Sequence, residues 1–251
     1  MKNRKPKVIL LVAGEGKRLR PYTLDRPKCM VEIDNISLID RQLKTLKLEG
    51  LDDIVMIGGY KSEMLKRKGV RLKVNTQYYK TNMVWTLFSA EEELNGEVIV
   101  SYGDIVYSRK ILQALLESSA DISVIIDKKW ESYWRARNEN PLSDAETLKL
   151  RKDGTICEIG QKPKNINEIE GQYIGLMKFS SKGLAQIKRI FQDSLESGEL
   201  LGKSIENSYM TDLLQAAILA GIPVTSVPTY ENWIEVDTVK DLELPITLER
   251  I

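Results

Sequence analysis

The sequence predicts an α/β fold, a mostly parallel mixed sheet with helices on both sides. Three observations carry that expectation. Short apolar runs rich in β-branched residues recur through the first half of the chain. Segments with apolar residues at helical spacing separate them. Each connection is about a dozen residues or more, enough for a crossover between parallel strands.

The run 8–12 (Val-Ile-Leu-Leu-Val) is continuously apolar, as a strand buried on both faces should be. A glycine-rich loop follows it. Ile39, Leu43, Leu46 and Leu48 then recur at helical spacing within 35–50. The run 53–57 ends at Gly58-Gly59 and predicts a second buried strand. A short helix at 61–67, a strand at 71–75 and an amphipathic helix at 83–94 are expected next. Residues 97–101 are strand-like and lead into Gly103-Asp104; a helix at 109–118 and a strand at 121–126 complete the alternation. After residue 127 the pattern changes to short β pieces (147–151, 155–159, 172–179) joined by Gly, Asn and Pro turns. Helices at 181–196 and 209–220 and strands near 223–228 and 232–236 close the chain. The expectation is one domain over 1–251, whose half 1–127 binds a nucleotide and whose half 128–251 closes over a second substrate.

Lys plus Arg count 37 against 36 Asp plus Glu, a formal charge of +1. That balance argues against a sequence-blind nucleic-acid binder, which needs a basic excess. No apolar run approaches the roughly 20 residues of a membrane span, and the apolar stretch near the start is too short for a signal-peptide core. Cys29 and Cys157 lie far apart and form no metal-ligand or redox pattern, which points to a reduced, cytoplasmic protein. The sequence contains no histidine. Ser-His-Asp and Cys-His nucleophile systems, imidazole zinc sites and histidine bases are therefore all excluded. Chemistry here must run on carboxylates, lysines, arginines, backbone amides and a hard cation.

The richest segment is 11–30, LVAGEGKRLRPYTLDRPKCM. Gly14 and Gly16 follow a buried strand, where absent side chains let backbone amides approach an anion. Lys17, Arg18, Arg20 and Lys28 place four cations close together. The segment is neither a dinucleotide G-x-G-x-x-G nor a Walker A. Taken alone, the cations read equally as a solvated basic loop.

Two later stretches offer carboxylates. Asp104 follows the strand-like run through Gly103, at the end of a strand where open parallel sheets bind ligands, although an Asp there is also an ordinary turn former. In 232–238, strand alternation puts Glu235 and Asp237 on one face, with Trp233 beside them, an arrangement that equally suits a solvated polar edge.

Segment 11–30 closely resembles the N-terminal signature of the sugar-nucleotidyltransferase superfamily, A-x-G-x-G-x-R-L-x-P-x-T-x-x-x-P-K-x-M. Ala13, Gly14, Gly16, Arg18, Leu19, Pro21, Thr23, Pro27, Lys28 and Met30 meet its fixed positions. Lys17 departs from the Ser or Thr common in sugar-specific members. Blocks at 81–88, 101–107, 127–130, 140–150 and 171–179 are similar to the cytidylyltransferase branch, and most closely to cytidylyltransferases that activate phosphoglutamine. The resemblance implies a Rossmann-like, GT-A-like nucleotidyltransferase fold and transfer of CMP from CTP to a phosphorylated small-molecule acceptor, with pyrophosphate released. It implies that the loop (Leu11, Ala13, Gly14, Glu15, Gly16, Lys17) wraps the triphosphate, with Arg18 and Lys28 on its phosphates, and that Gly58, Gly59, Tyr60, Asn82, Ser101 and Gly103 complete the nucleotide site. Gly58 and Gly59 serve equally as turn formers, and Asn82 as a helix cap.

By the same resemblance Asp104 holds a catalytic Mg²⁺, joined by Glu235 and Asp237 as the late E-x-D. Arg18, Lys28 and Asp104 are the candidate catalytic residues. For the acceptor the candidates are Lys128, Lys162, Glu170 and Tyr173, with Lys129, Trp130, Trp134, Arg135, Arg137, Asp144 and Glu146 around them. Each lysine there also reads as a surface charge. The mixture of charge signs suits a zwitterionic acceptor such as a phosphorylated amino acid. The alternatives are a choline-phosphate or phosphonate cytidylyltransferase, a sugar-1-phosphate nucleotidyltransferase or, in another class, a non-catalytic nucleotide-sensing subunit. No nucleic acid, membrane or acyltransferase extension is expected, and a homodimer is left open.

Overall fold

The computed structural model describes residues 5–230, 232–244 and 250. In chain order its strands of three or more residues are β1 (Lys7–Val12), β2 (Ile54–Gly58), β3 (Val70–Val74), β4 (Val98–Tyr102), β5 (Ile105–Tyr107), β6 (Ile122–Asp127), β7 (Leu148–Leu150), β8 (Ile156–Ile159), β9 (Gln172–Phe179), β10 (Thr225–Thr229) and β11 (Trp233–Glu235). The helices are α1 (Leu38–Leu48), α2 (Met83–Phe88), α3 (Arg109–Glu117), α4 (Trp130–Arg137), α5 (Ser181–Ser197), α6 (Met210–Leu219) and α7 (Val239–Glu243). Seven strands form one sheet in the order β10-β6-β9-β4-β1-β2-β3. Within it only β9 runs antiparallel to its neighbours, so the sheet is mixed but mostly parallel. Two strands from beyond residue 127 are thus built into the same sheet as the first half.

Alternation along β1 explains why the first apolar run is continuous. Val8, Leu10 and Val12 enter a cluster with α1, α3 and α4, whereas Ile9 and Leu11 enter one with α2, α5 and α6. Both faces of the strand are dry, so no polar residue is tolerated on either. The buried Lys7 is the exception at the entry to the strand, and its ammonium is held by Glu93.

One expectation is corrected. The helix expected over 83–94 stops at Phe88, and a separate 3₁₀ turn covers Glu91–Glu93. Trp130, Trp134, Arg135 and Arg137, expected around the acceptor, all lie on α4. Trp130, Tyr133, Trp134 and Arg137 lie at i, i+3, i+4 and i+7, and all four are buried. That spacing is itself a helix signal, hidden among charged neighbours.

The registers decide where the site must be. Val12 pairs with Gly58, and Leu11 with Tyr102, so β1, β2 and β4 end level with one another. The loops after them therefore converge. In β9 the ladder shifts between Tyr173 and Met177, and Gly175 sits there at φ +84°. A Cβ on Gly175 would fall 2.5 Å from the Tyr102 ring, so this glycine lets Tyr102 lie flat across the sheet end.

Candidate active site

A cavity of about 410 Å³ opens over the C-terminal ends of β1 and β4. Leu11, Ala13, Gly14, Glu15, Gly16, Lys17, Arg18 and Lys28 line it on one side, and Asn82, Gly103, Asp104 and Asp237 on others. The glycine loop is held by its own chemistry. Gly16 adopts the left-handed conformation at φ +68°, and a Cβ there would crowd Lys28 and Thr23. The buried Thr23 hydroxyl donates to Gly16 O at 2.7 Å, and the Lys28 amide donates to Gly14 O at 3.2 Å. These bonds fold the segment back on itself, so Lys28 stands beside the loop that carries Arg18. Around Gly14 there is open space, as an approaching anion would need.

Lys28 reaches two carboxylates at once. Its ammonium donates to Asp104 Oδ2 at 2.5 Å and also to Asp237 Oδ1. Burial opposes charge on this lysine, but the attraction of Asp104 and Asp237 outweighs it and the Lys28 pKa stands above its ordinary value. Burial likewise works to raise the Asp237 pKa, and Lys28, Arg18 and Arg137 overcome it, leaving the carboxyl below the usual range. Arg18, largely exposed, pairs with Asp237 Oδ2 at 3.1 Å. Glu235 differs: burial dominates and, despite Arg137, holds its carboxyl above the usual range.

Asp104, Glu235 and Asp237 present one oxygen each within 4.8 Å of one another. They come from two segments stitched together by backbone: β5 pairs antiparallel with β11, and the Val236 amide donates to Asp104 O at 3.0 Å. Asp104 Oδ1 is buried without a hydrogen-bond partner. Three hard carboxylate donors, one with an orphaned oxygen, match what a Mg²⁺ ion requires.

Other predicted nucleotide contacts sit one layer back. Ser101 is fully buried and donates to Gln42 Oε1, while the Gln42 amide donates to Tyr102 O and Ile105 O. Ser101 and Gln42 together brace the turn that carries Gly103 and Asp104. A Cβ on Gly59 would strike Tyr78 and Ala13 O, and a Cβ on Gly58 would strike Leu65. The Tyr60 amide donates to Ala13 O at 3.2 Å, and its hydroxyl to Leu24 O. Gly58, Gly59 and Tyr60 therefore support the glycine loop from behind and do not line the cavity. Asn82 does both of its expected jobs in position: its side chain caps α2 and it lines the cavity.

Tyr78, Tyr79, Thr81, Met83, Thr86 and Tyr102 also line the cavity, and the sequence reading missed them as such. Buried Asn75 donates to both Thr81 and Thr86, ordering that wall. The aromatic run at 78–79 was the available signal.

The acceptor candidates are placed as follows. Lys162 is already engaged, donating to Leu142 O at 2.6 Å and Ser143 O at 2.7 Å. Glu170 accepts the Leu150 amide and so extends the β7 edge. Tyr173 stands behind Tyr102, ring against ring at 5.7 Å, and burial raises its phenol pKa. Lys128 is exposed just beyond β6 and does not line the cavity. Trp130 and Trp134 belong to the core, so neither offers a cage for a quaternary amine. Glu146 is the acidic group with the largest consequence here. Burial, with Asp212 nearby, pushes its carboxyl up to about 7 from 4.5. The folded chain then holds a proton that the unfolded chain has lost. That stabilisation is complete below pH 4.5 and is lost as pH rises through about 7. Glu146→Gln should therefore gain about 1–3 kcal/mol on the wild type between pH 4.5 and pH 8. Thermal melts at the two pH values check this; an unchanged difference would show an unperturbed carboxyl.

Residues 8–155 match the MobA-like NTP transferase domain family. The chain is 40% identical to the CTP:phosphoglutamine cytidylyltransferase of Campylobacter jejuni over 95% of this chain and 98% of that one. It is 36% identical to the choline-phosphate cytidylyltransferase of Streptococcus pneumoniae over 45% of this chain and 51% of that one. Among solved structures, the CTP:phosphocholine cytidylyltransferase of Streptococcus pneumoniae superposes with a TM-score of 0.72 at 22% identity, covering 96% of this chain and 97% of that one. The inositol-1-phosphate CTP transferase from T. maritima gives the same score at 20% identity, over 97% and 96%. At these identities the two structures bear on the fold, which is the Rossmann-like nucleotidyltransferase fold. With a match spanning more than half of the chain and a full-length relative, this chain belongs to the MobA-like NTP transferase domain family.

Proposed function

We propose that the chain transfers CMP from CTP to a phosphorylated small molecule, a phosphoglutamine-like acceptor first, and releases pyrophosphate. The observation that carries the reading is the full-length likeness to the Campylobacter cytidylyltransferase. The cavity supports it by gathering a glycine loop, three cations and carboxylates at one sheet end.

An acceptor phosphate oxygen attacks the α-phosphorus of CTP. The bond from that phosphorus to the bridging oxygen breaks, and pyrophosphate departs with the electron pair. The nucleophile is already an anion, so the absence of histidine costs nothing. Catalysis then reduces to alignment and charge neutralisation. In this reading the amides around Gly14 and the Arg18 and Lys28 side chains bind the triphosphate and the leaving group. Tyr78, Tyr79 and Tyr102 present flat surfaces to the base and the acceptor. Asp104, Glu235 and Asp237 would hold Mg²⁺, which when bound supplies positive charge to the reacting phosphates. Cytoplasmic location and a role in capsule polysaccharide assembly belong to the same proposal. No described helix is long and apolar enough to cross a membrane.

Pyrophosphate release tests the reading, with CTP, UTP, GTP and ATP each offered phosphoglutamine, phosphocholine and a hexose 1-phosphate. CTP with phosphoglutamine should give the highest kcat/KM, by about tenfold or more over the other pairs. A faster reaction with phosphocholine would move the chain to the choline-phosphate reading, which its partial likeness to that enzyme keeps in view. No pyrophosphate from any pair would favour the nucleotide-sensing alternative.

A further inference from the structure

Buried acids near the cavity are matched by cations, with one exception. Asp104 and Asp237 share Lys28, and Asp212 takes the Lys203 ammonium at 2.7 Å and the Tyr209 amide at 2.8 Å. Among the described residues, Glu146 has no cation of its own. Burial opposes its charge; Lys203 favours it but is already bound to Asp212, and the Thr211 hydroxyl adds a weaker pull.

Backbone bonds, not charge, fix where Glu146 stands. Its amide donates to Gln172 Oε1 at 3.2 Å, and Gln172 Nε2 donates back to its carbonyl at 2.6 Å. Gln172 is buried at the start of β9, next to Tyr173. The following residue, Thr147, is tied to the loop after β8. Its amide donates to Gln161 O at 2.8 Å, and its carbonyl accepts the Gly160 amide at 3.1 Å. Gly160, at φ +80°, brings that loop so close to α6 that a Cβ would fall 2.6 Å from Thr211. Glu146 is thus held between β9 and the first turn of α6.

Two rings connect this acid to the cavity. Tyr173 packs edge-on against Tyr102 at 5.7 Å, and Tyr102 lines the cavity. Burial raises the pKa of both phenols, and Glu146 and Asp104 each push it further, so one tyrosine pair lies within electrostatic reach of both acids. Glu146 is only partly buried, which leaves it open to a solute. A half-desolvated carboxylate beside an aromatic ring suits a ligand cation. A metal ion is a poor fit, because it needs several hard donors and Asp212 is already engaged. An ammonium needs one good acceptor and gains from the face of a ring.

We infer that Glu146 selects an acceptor carrying an ammonium group, which it receives beside Tyr102 while the phosphoryl end of the acceptor lies at Asp104. The inference rests on the proposed transfer to a phosphorylated acceptor and names the group that sets acceptor choice. In the free chain the uncompensated carboxylate costs stability, and the charge of the ligand offsets that cost.

The test compares phosphoglutamine with its deaminated analogue, which keeps the phosphoryl group and the carboxylate, in the wild type and in Glu146→Gln. Pyrophosphate release at saturating CTP gives KM and kcat for each acceptor. The wild type should prefer phosphoglutamine by about tenfold or more in kcat/KM, as expected for one charged hydrogen bond. Glu146→Gln should lose most of that preference through a higher KM for phosphoglutamine, with the KM for the analogue changing less than about twofold. The amide removes a buried charge, so the variant folds and the comparison stays clean. A merely structural role would shift both acceptors together, or neither, and either result overturns the inference. A wild type that uses the two acceptors equally overturns it as well, while CMP transfer stands. A wild type that releases pyrophosphate with neither overturns the proposed function itself, and that result is separate from the variant.

Discussion

Asp104→Asn and Asp237→Asn should each lower Mg²⁺-supported pyrophosphate release by a factor on the order of 10² to 10³, the largest activity losses expected for single carboxylate changes in this chain. An amide oxygen keeps the shape of the side chain but is a poorer ligand for a hard cation. The two losses should differ in character. Asp104 offers a buried oxygen with no partner, so its replacement touches the metal site and the hydrogen bond from Lys28. Asp237 also anchors Arg18 and Lys28, so its replacement should raise KM for CTP as well. Initial rates across a Mg²⁺ titration give the answer. A variant with wild-type rates at limiting Mg²⁺ is not missing a ligand.

Lys28→Ala should lower turnover by a factor of about 10² or more, as expected for removal of one preorganised charge donor. The structure adds a second effect. With the ammonium gone, half-buried Asp104 loses its cation partner, while Asp237 keeps Arg18 and Arg137 nearby. Breaking a buried ion pair from one side costs about 3–5 kcal/mol, less here because solvent still reaches both acids. Lys28 has its pKa raised above 10.5, so its contribution is complete below that pH and lost only as pH rises through the higher folded value. Asp237 has its pKa lowered below 3.8, so its share is lost only in stronger acid. Between those limits the melting temperature of Lys28→Ala should stay below that of the wild type. Mg²⁺ should raise it more than it raises the wild type, because the ion replaces the missing charge. Wild-type turnover would remove Lys28 from the chemistry; a melting curve indifferent to Mg²⁺ would remove the ion from between the two acids.

Most of the fold was legible because both faces of the sheet are buried. A strand such as β1 must then be apolar at every position, and a helix such as α1 must show its stripe. The glycine loop was legible for a different reason. Its spacing is set by backbone geometry, which demands glycine at the left-handed Gly16 and a lysine that folds back beside it.

What the sequence by itself determined is a mostly parallel α/β fold, a glycine loop at Gly14 and Gly16 after the first strand, and a chemistry without histidine. These depend on local spacing, composition and periodicity, which are properties of neighbours along the chain. Only the tertiary structure decided how the acidic end is held. Asp104 and Glu235 lie far apart in sequence and meet because β5 pairs with β11. Arg137 read as a neighbour of the acceptor until α4 was seen packed under β11, with that guanidinium between two rings and two carboxylates. In the same way only the fold gave Lys162 and Glu170 their backbone partners. A charged side chain carries no mark of its partner in the sequence, because charge pairing depends on through-space distance and on burial, and only the folded chain sets those.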